Sequence, residues 1–202
     1  MPTILHLTSS IFGEHGESSR LSAEFVSGFP GATIIRRDLG QNPVPHLDGE
    51  RFGAFLSKAE SRTPAQQAIL DQSNALIGEL QAADVIVIGA PLYNFGISSQ
   101  LKAWFDHVAR AGVTFKYTER GAVGLLAGRK AYVFTARGGY YAGTPEDIHT
   151  AYLKTMLGFL GITDVEFIHA EGLAVSEETK AAGLAAARRA LRALARPERM
   201  AA

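Results

Sequence analysis

The stretch from Ala83 to Asp106, ADVIVIGAPLYNFGISSQLKAWFD, constrains this chain more than any other. Asp84 to Ala90 is a short, nearly unbroken apolar run rich in Val and Ile. A run of that kind, closed by a turn signal, suits a strand buried on both faces of a parallel sheet. Pro91 ends it, because proline has no N–H to give to a sheet ladder. Leu92, Tyr93, Asn94, Phe95 and Gly96 then form a loop. Ser98 or Ser99 caps a helix in which Leu101, Trp104, Phe105 and Val108 recur at helical spacing. A doubly covered strand followed at once by a helix demands an α/β protein with helices on both sides of a sheet.

In open α/β sheets, ligands bind beyond the carboxyl ends of the strands. The loop from Leu92 to Phe95 lies at such an end. Tyr93 and Phe95 offer flat apolar surface and Asn94 offers donors and an acceptor, which suits a large, flat, polar-edged ligand. An ordinary strand–helix connection with its aromatics packed inward is the alternative. Thr3 to Thr8 reads as a first buried strand and leads into Ser9, Ser10 and a loop running through Gly13, Gly16, Glu17, Ser18 and Ser19. A helix with Leu21 and Phe25 follows. A loop of this kind ending at a helix N-terminus collects free N–H groups and hydroxyls, which suits a phosphate monoester. A solvated loop with Ser18 as a plain cap is the competing reading. No Gly-Lys-Ser/Thr follows and no Gly-x-Gly-x-x-Gly occurs, so neither a P-loop nor a dinucleotide fingerprint is present.

Further along, Ala32 to Asp38 reads as a shorter, more polar edge strand, Leu39 to Glu50 as a loop, and Arg51 to Glu60 as a short irregular helix. Thr63-Pro64-Ala65-Gln66 starts a helix with a capping box and proline in the first turn. Ala111 to Leu126 reads as a small hairpin or lid with exposed Phe115 and Tyr117. Lys130 to Thr135 is a fourth sheet strand ending in Ala136, Arg137, Gly138, Gly139, Tyr140 and Tyr141. Paired glycines admit close backbone approach to a ligand, and Arg137 suits an anion or a surface pair. A helix over Ala151 to Leu160, a fifth strand over Val165 to Ala170 and a Ser176-capped helix from Glu177 to Arg196 complete the pattern, with a tail from Pro197. The expectation is one domain over residues 1–202: a doubly wound, three-layer α/β/α fold around a five-stranded parallel sheet of order 2-1-3-4-5. Its special loops follow strands one, three and four around one crevice.

Composition removes several function classes. The chain has no cysteine, so disulfides, thiolate catalysis and Cys-ligated metals are out. Lys+Arg and Asp+Glu both number 20, so no general basic field exists for nucleic acid. The histidines, among them the strand residues His6 and His169, fall at no metal-ligand spacing, and no Gly-x-Ser-x-Gly elbow occurs. No run approaches the length of a membrane span and no secretory core opens the chain, so a cytoplasmic protein is expected. What remains is a binding site without an obvious nucleophile, base or metal, as expected where an organic cofactor carries the chemistry.

Ser9-Ser10 with Glu17-Ser18, Pro91-Leu92-Tyr93-Asn94-Phe95, Leu101-Lys102, Ala109 through Phe115, Arg137-Gly138-Gly139 and Leu157-Gly158-Phe159-Leu160-Gly161 together resemble the FMN-dependent NADH:azo/quinone oxidoreductases of the flavodoxin-like fold. The resemblance extends from the first strand to about Ala174. It implies that Ser10 and Gly16, Glu17 and Ser18 hold the FMN phosphate. It implies that Leu92, Tyr93, Asn94 and Phe95 line the isoalloxazine, with Ala136, Arg137, Gly138 and Gly139 at its other side. Tyr117 and Phe159 match positions that wall the substrate pocket, and Tyr141, in a stretch the family varies, is placed there with them. Gly16 and Ala136 stand where serines are common, which implies retained but weaker FMN binding.

The resemblance implies an enzyme that passes a hydride from NADH or NADPH to FMN and then reduces quinones and azo compounds by a ping-pong mechanism. A flavodoxin-like electron carrier is the alternative, but such carriers use an acidic docking face, and zero net charge speaks against one. The aromatic loop, the lid and the helix holding Phe159 present much apolar surface for one chain. Together with the resemblance, this points to a homodimer with active sites at its interface.

Overall fold

The structure, a computed structural model, describes residues 1–194. The expected end of the last helix at Arg196 and the tail from Pro197 lie outside the described residues. The elements run β1 Thr3–Thr8, α1 Glu17–Ser27, β2 Thr33–Asp38, α2 Gly49–Leu56, α3 Pro64–Ala82, β3 Val85–Gly89, α4 Ser99–Val108, β4 Phe115–Thr118, β5 Gly121–Gly124, β6 Lys130–Ala136, α5 Ile148–Phe159, β7 Asp164–Ala170 and α6 Glu177–Leu194. Five strands form one sheet in the order β2-β1-β3-β6-β7, with every neighbouring pair parallel. Counted within that sheet, this is the expected 2-1-3-4-5.

The strand sequences explain the three layers. Along β1, β3 and β6, alternate side chains serve opposite faces. Leu5, Leu7, Ile86, Ile88, Ala131 and Val133 join α3, α4 and α5 in one core. Ile4, Val85, Val87, Tyr132 and Phe134 join α1 and α6 in the other. All five residues of β3 are buried, so the strand read first from the sequence is the axis of the sheet. Burying one such side chain contributes roughly 1.5–3 kcal/mol. The edge strand β2 keeps most of its residues half-buried and exposes the rest.

Helix starts follow the capping chemistry. Thr63 and Gln66 form the full capping box of α3, and Ser98 accepts from the Leu101 N–H to start α4. Two segments differ from expectation. α2 begins at Gly49 because Asp48 accepts from the Arg51 N–H. α5 begins at Ile148, ahead of Ala151, because Asp147 accepts from the Thr150 N–H. Sequence periodicity underweighted both aspartate caps. The hairpin forms from antiparallel β4 and β5, but Phe115 is only 7% exposed while Tyr117 is 75% exposed. Phe115 turns inward against Phe159, with ring centroids 4.4 Å apart and the planes tilted by 47°. Among the described residues, no helix is long and apolar enough to cross a membrane.

Candidate functional site

The loops after β1, β3 and β6 meet at the carboxyl edge of the sheet. Ser9 pins the first to the second: its N–H and its hydroxyl both donate to the Gly89 carbonyl. α1 then approaches this edge end-on. A Cβ on Gly89 would lie 3.1 Å from the Ser18 carbonyl, so glycine lets the first turn of α1 sit directly on β3. The cap of α1 is Gly16, which supplies no side-chain hydrogen bond. The N–H groups of Glu17, Ser18 and Ser19 find no acceptor among the described residues. The hydroxyls of Ser18 and Ser19 are buried and likewise unpartnered. Buried polar groups are satisfied in nearly all proteins. Three free N–H groups and two dry hydroxyls at one helix N-terminus therefore fit a phosphate.

The resemblance treats Gly16 as a missing hydroxyl. The geometry gives it a different role, because a Cβ there would lie 2.2 Å from Ser10 Oγ. The Ser10 hydroxyl already fills the space that a residue-16 side chain would need. Behind the cup, Arg36 Nη1 lies 3.2 Å from His6 Nδ1, and His6 Nε2 lies 2.8 Å from Ser22 Oγ. Ser22 in turn donates to the Ser19 carbonyl. The arginine can only donate, so His6 is neutral with its proton on Nε2. Burial, then the Arg36 charge, pushes its pKa down to about 4.

The second loop is a tight turn. Tyr93 and Gly96 exchange both backbone hydrogen bonds, each 2.9 Å. Asn94 and Phe95 between them have φ of 48° and 65°. Two left-handed residues in a two-residue turn ordinarily read Asn-Gly. Asparagine tolerates this conformation, whereas a phenylalanine there costs roughly 1–2 kcal/mol. Phe95 is thus held in a strained pose with its ring half-exposed. Tyr93 ties this turn to the phosphate cup: its hydroxyl accepts from the Ile11 N–H at 3.2 Å and lies 3.3 Å from Ser10 Oγ. Leu92 donates to the Ala136 carbonyl at 3.0 Å, joining the third loop.

The third loop corrects one expectation. Arg137 does not form a surface pair. Its side chain is 0% exposed and lies 3.1 Å from Asp147 and 3.4 Å from Glu171. Its own N–H and carbonyl are taken by Ala170 and Leu173. The glycines beside it hold the protein's own side chains: Tyr141 lies across Gly139, and Ala174 faces Gly138. The Tyr141 ring then meets Phe95 edge-on at 5.5 Å. Ser10, Gly16, Glu17, Ser18, Leu92 to Phe95, Ala136, Gly138, Gly139 and Tyr141 all lie at this edge. Glu17 sits at the cup's rim, 3.7 Å from Arg20.

Tyr117 and Phe159 do not. α5 starts at the carboxyl edge and runs back across the sheet, so Phe159 at its end reaches the opposite edge, near where Lys130 pairs with Asp164. A 12-residue helix spans about 18 Å. Within one chain, neither residue walls the pocket. Several residues at the site gave little signal in sequence. Ser9 and Ser19 lay within the Gly/Ser loop. Asp147, Thr150, Glu171 and the His6–Ser22 pair are joined only by the fold.

The fold and this edge define a flavodoxin-like α/β protein in which a helix start with dry serine hydroxyls sits beside a strained aromatic turn. The comparisons name the family more closely. The family described as having a flavodoxin-like fold matches residues 2–195. FMN-dependent NADH:quinone oxidoreductase 6 of Burkholderia lata is 54% identical over 197 residues, covering 96% of this chain and 100% of that protein. The FMN-dependent NADH:quinone oxidoreductase of Alcanivorax borkumensis is 54% identical over 189 residues, covering 92% and 96%. The crystal structure of an FMN-dependent NADH-azoreductase from Bacillus anthracis in complex with FMN superposes with a TM-score of 0.85 at 29% identity, covering 97% of this chain and 100% of that one. The chain belongs to this flavodoxin-like family of FMN-dependent NADH:quinone oxidoreductases.

Proposed function

We propose that this protein is an FMN-dependent NADH:quinone oxidoreductase that also reduces azo compounds. The observation that carries the reading is the pair of buried, unpartnered hydroxyls of Ser18 and Ser19, set beside an aromatic turn at the same sheet edge. FMN, when bound, supplies the two-electron redox chemistry. The cup's serines and free N–H groups hold its phosphate with the help of the α1 dipole and without a lysine. Leu92 to Phe95 support the ring, and Asn94, exposed at the turn, is the polar side chain at its edge. Gly138, Gly139 and Tyr141 flank the other side. NADH and acceptor share one pocket and bind in turn, so initial-rate lines at several quinone concentrations are parallel. Intersecting lines contradict this ordering.

The proposal includes a homodimer with shared sites. Tyr117 and Phe159 lie at the far edge of their own chain, so they reach a pocket only if it belongs to a second copy. A two-fold axis gives each copy the same contribution. Exposed Ile11, Phe12, Phe95 and Tyr140 around the site, and Phe52 and Leu56 on α2, supply apolar surface for such an interface. Use of NADH as reductant supports a cytoplasmic location. Light scattering on the yellow, active protein at assay dilution gives twice the mass of one chain; a single-chain mass rules the shared site out.

A further inference from the structure

The carboxyl edge carries a charged cluster that the proposed chemistry does not use. Arg137 Nη2 donates to Thr150 Oγ1 at 2.6 Å and faces Asp147, while Nη1 faces Glu171. A buried guanidinium between two carboxylates is costly to desolvate and is a poor source of net stability. What it provides is geometry. Asp147 caps α5. Glu171 Oε1 accepts from the Tyr141 N–H at 2.7 Å and from the Ala142 N–H at 2.8 Å. Backbone bonds from Gly172, Leu173 and Ala174 to residues 137–139 extend the β6–β7 pairing beside it. The segment from Gly139 to Asp147 is therefore fixed at its start by backbone, in its middle by Glu171 and at its end by Asp147. Tyr141 sits at the middle anchor, with its ring across Gly139 and its edge against Phe95.

We propose that Glu171, braced by Arg137, is a positioning residue that sets Tyr141 against Phe95 and so fixes one wall of the pocket for flat aromatic acceptors. The proposal rests on the reading of this edge as the FMN and quinone site. Glu171 itself touches no reacting atom.

Hydrogen exchange on the purified protein tests the anchor directly. In Glu171→Ala, the Tyr141 and Ala142 amides exchange at least about tenfold faster while β3 stays protected. Should that variant fail to fold, Glu171→Asp keeps the charge beside Arg137 but falls short of both N–H groups, and the same acceleration is expected. Kinetics test the consequence. Tyr141→Ala raises KM for a naphthoquinone by roughly 2- to 10-fold, the worth of one aromatic contact. Glu171→Ala raises it comparably with FMN retained. The double variant is no worse than Tyr141→Ala alone, because one residue acts through the other. Unchanged amide exchange, multiplying effects on KM, or loss of FMN from Glu171→Ala each overturn the proposal. If the unaltered protein binds no FMN, the functional reading fails while the exchange result still stands or falls separately.

Discussion

At the scale of single residues, the site is marked by groups whose local energetics are unfavourable in the protein by itself. Ser18 is the plainest. Its hydroxyl is buried without a partner, so Ser18→Ala leaves the thermal midpoint of the FMN-free protein unchanged or slightly raised. The same change weakens FMN binding by about 10- to 100-fold, the worth of a hydrogen bond to a charged group. Fluorescence titration and a melting curve on one preparation read both signs. Phe95 carries strain instead. Phe95→Gly and Phe95→Ala both remove the ring, but only glycine adopts a φ of 65° freely. The glycine variant is therefore more stable than the alanine variant by about 1 kcal/mol, the reverse of their order in regular structure. Denaturant midpoints decide it, and a more stable alanine variant contradicts the strain. The aromatic loop was legible in sequence, because Pro91 and the buried run fixed its place. Its left-handed turn was not, since an Asn-Phe pair carries no turn signal of its own.

Elements bring these residues together, and here local signals and fold divide cleanly. The Thr63 capping box, the Ser98 cap and the buried runs of β1, β3 and β6 are local, and they stand where the pattern put them. Gly16 shows the limit. The family resemblance implied a missing hydroxyl there, but the distance to Ser10 shows that the loop is already full. Gly16→Ser thus fails to strengthen the cup. It displaces Ser10 from Tyr93, weakens FMN binding and lowers the melting temperature; tighter binding in that variant contradicts the packing account. Arg137 divides the same way. Its residue type suggested an anion partner, but Asp147 and Glu171, 10 and 34 positions away, claim it. Tyr117 and Phe159 were expected at the substrate pocket; in the fold each ring meets Phe115. Their place in the fold was hidden, because no local pattern says that α5 carries its end to the opposite edge.

Over the whole molecule, the polar residues buried in the two cores set a pH dependence. Burial, then Arg137, lowers the His149 pKa to about 4, and His6 behaves alike through burial and Arg36. Between about pH 4 and 6.5 the unfolded chain binds protons that the folded chain does not, so stability rises with pH across that window. One pKa unit corresponds to about 1.4 kcal/mol, so each histidine costs up to about 3 kcal/mol by pH 4. Melting curves from pH 7 to 4 should fall accordingly, with a shallower fall in His149→Leu; a flat profile contradicts buried neutral histidines. The sheet order and doubly covered strands were readable from the chain as alternating buried runs and capped helices. The functional expectation came from three loops at one edge and from the family resemblance that their residues carry. One anaerobic spectrum tests flavin-dependent quinone reduction by this protein. The purified protein, incubated with FMN and freed of excess, carries a flavin band that NADH bleaches and an added quinone restores in equal amount. A protein that stays colourless after FMN, or holds a flavin that NADH does not bleach, contradicts it.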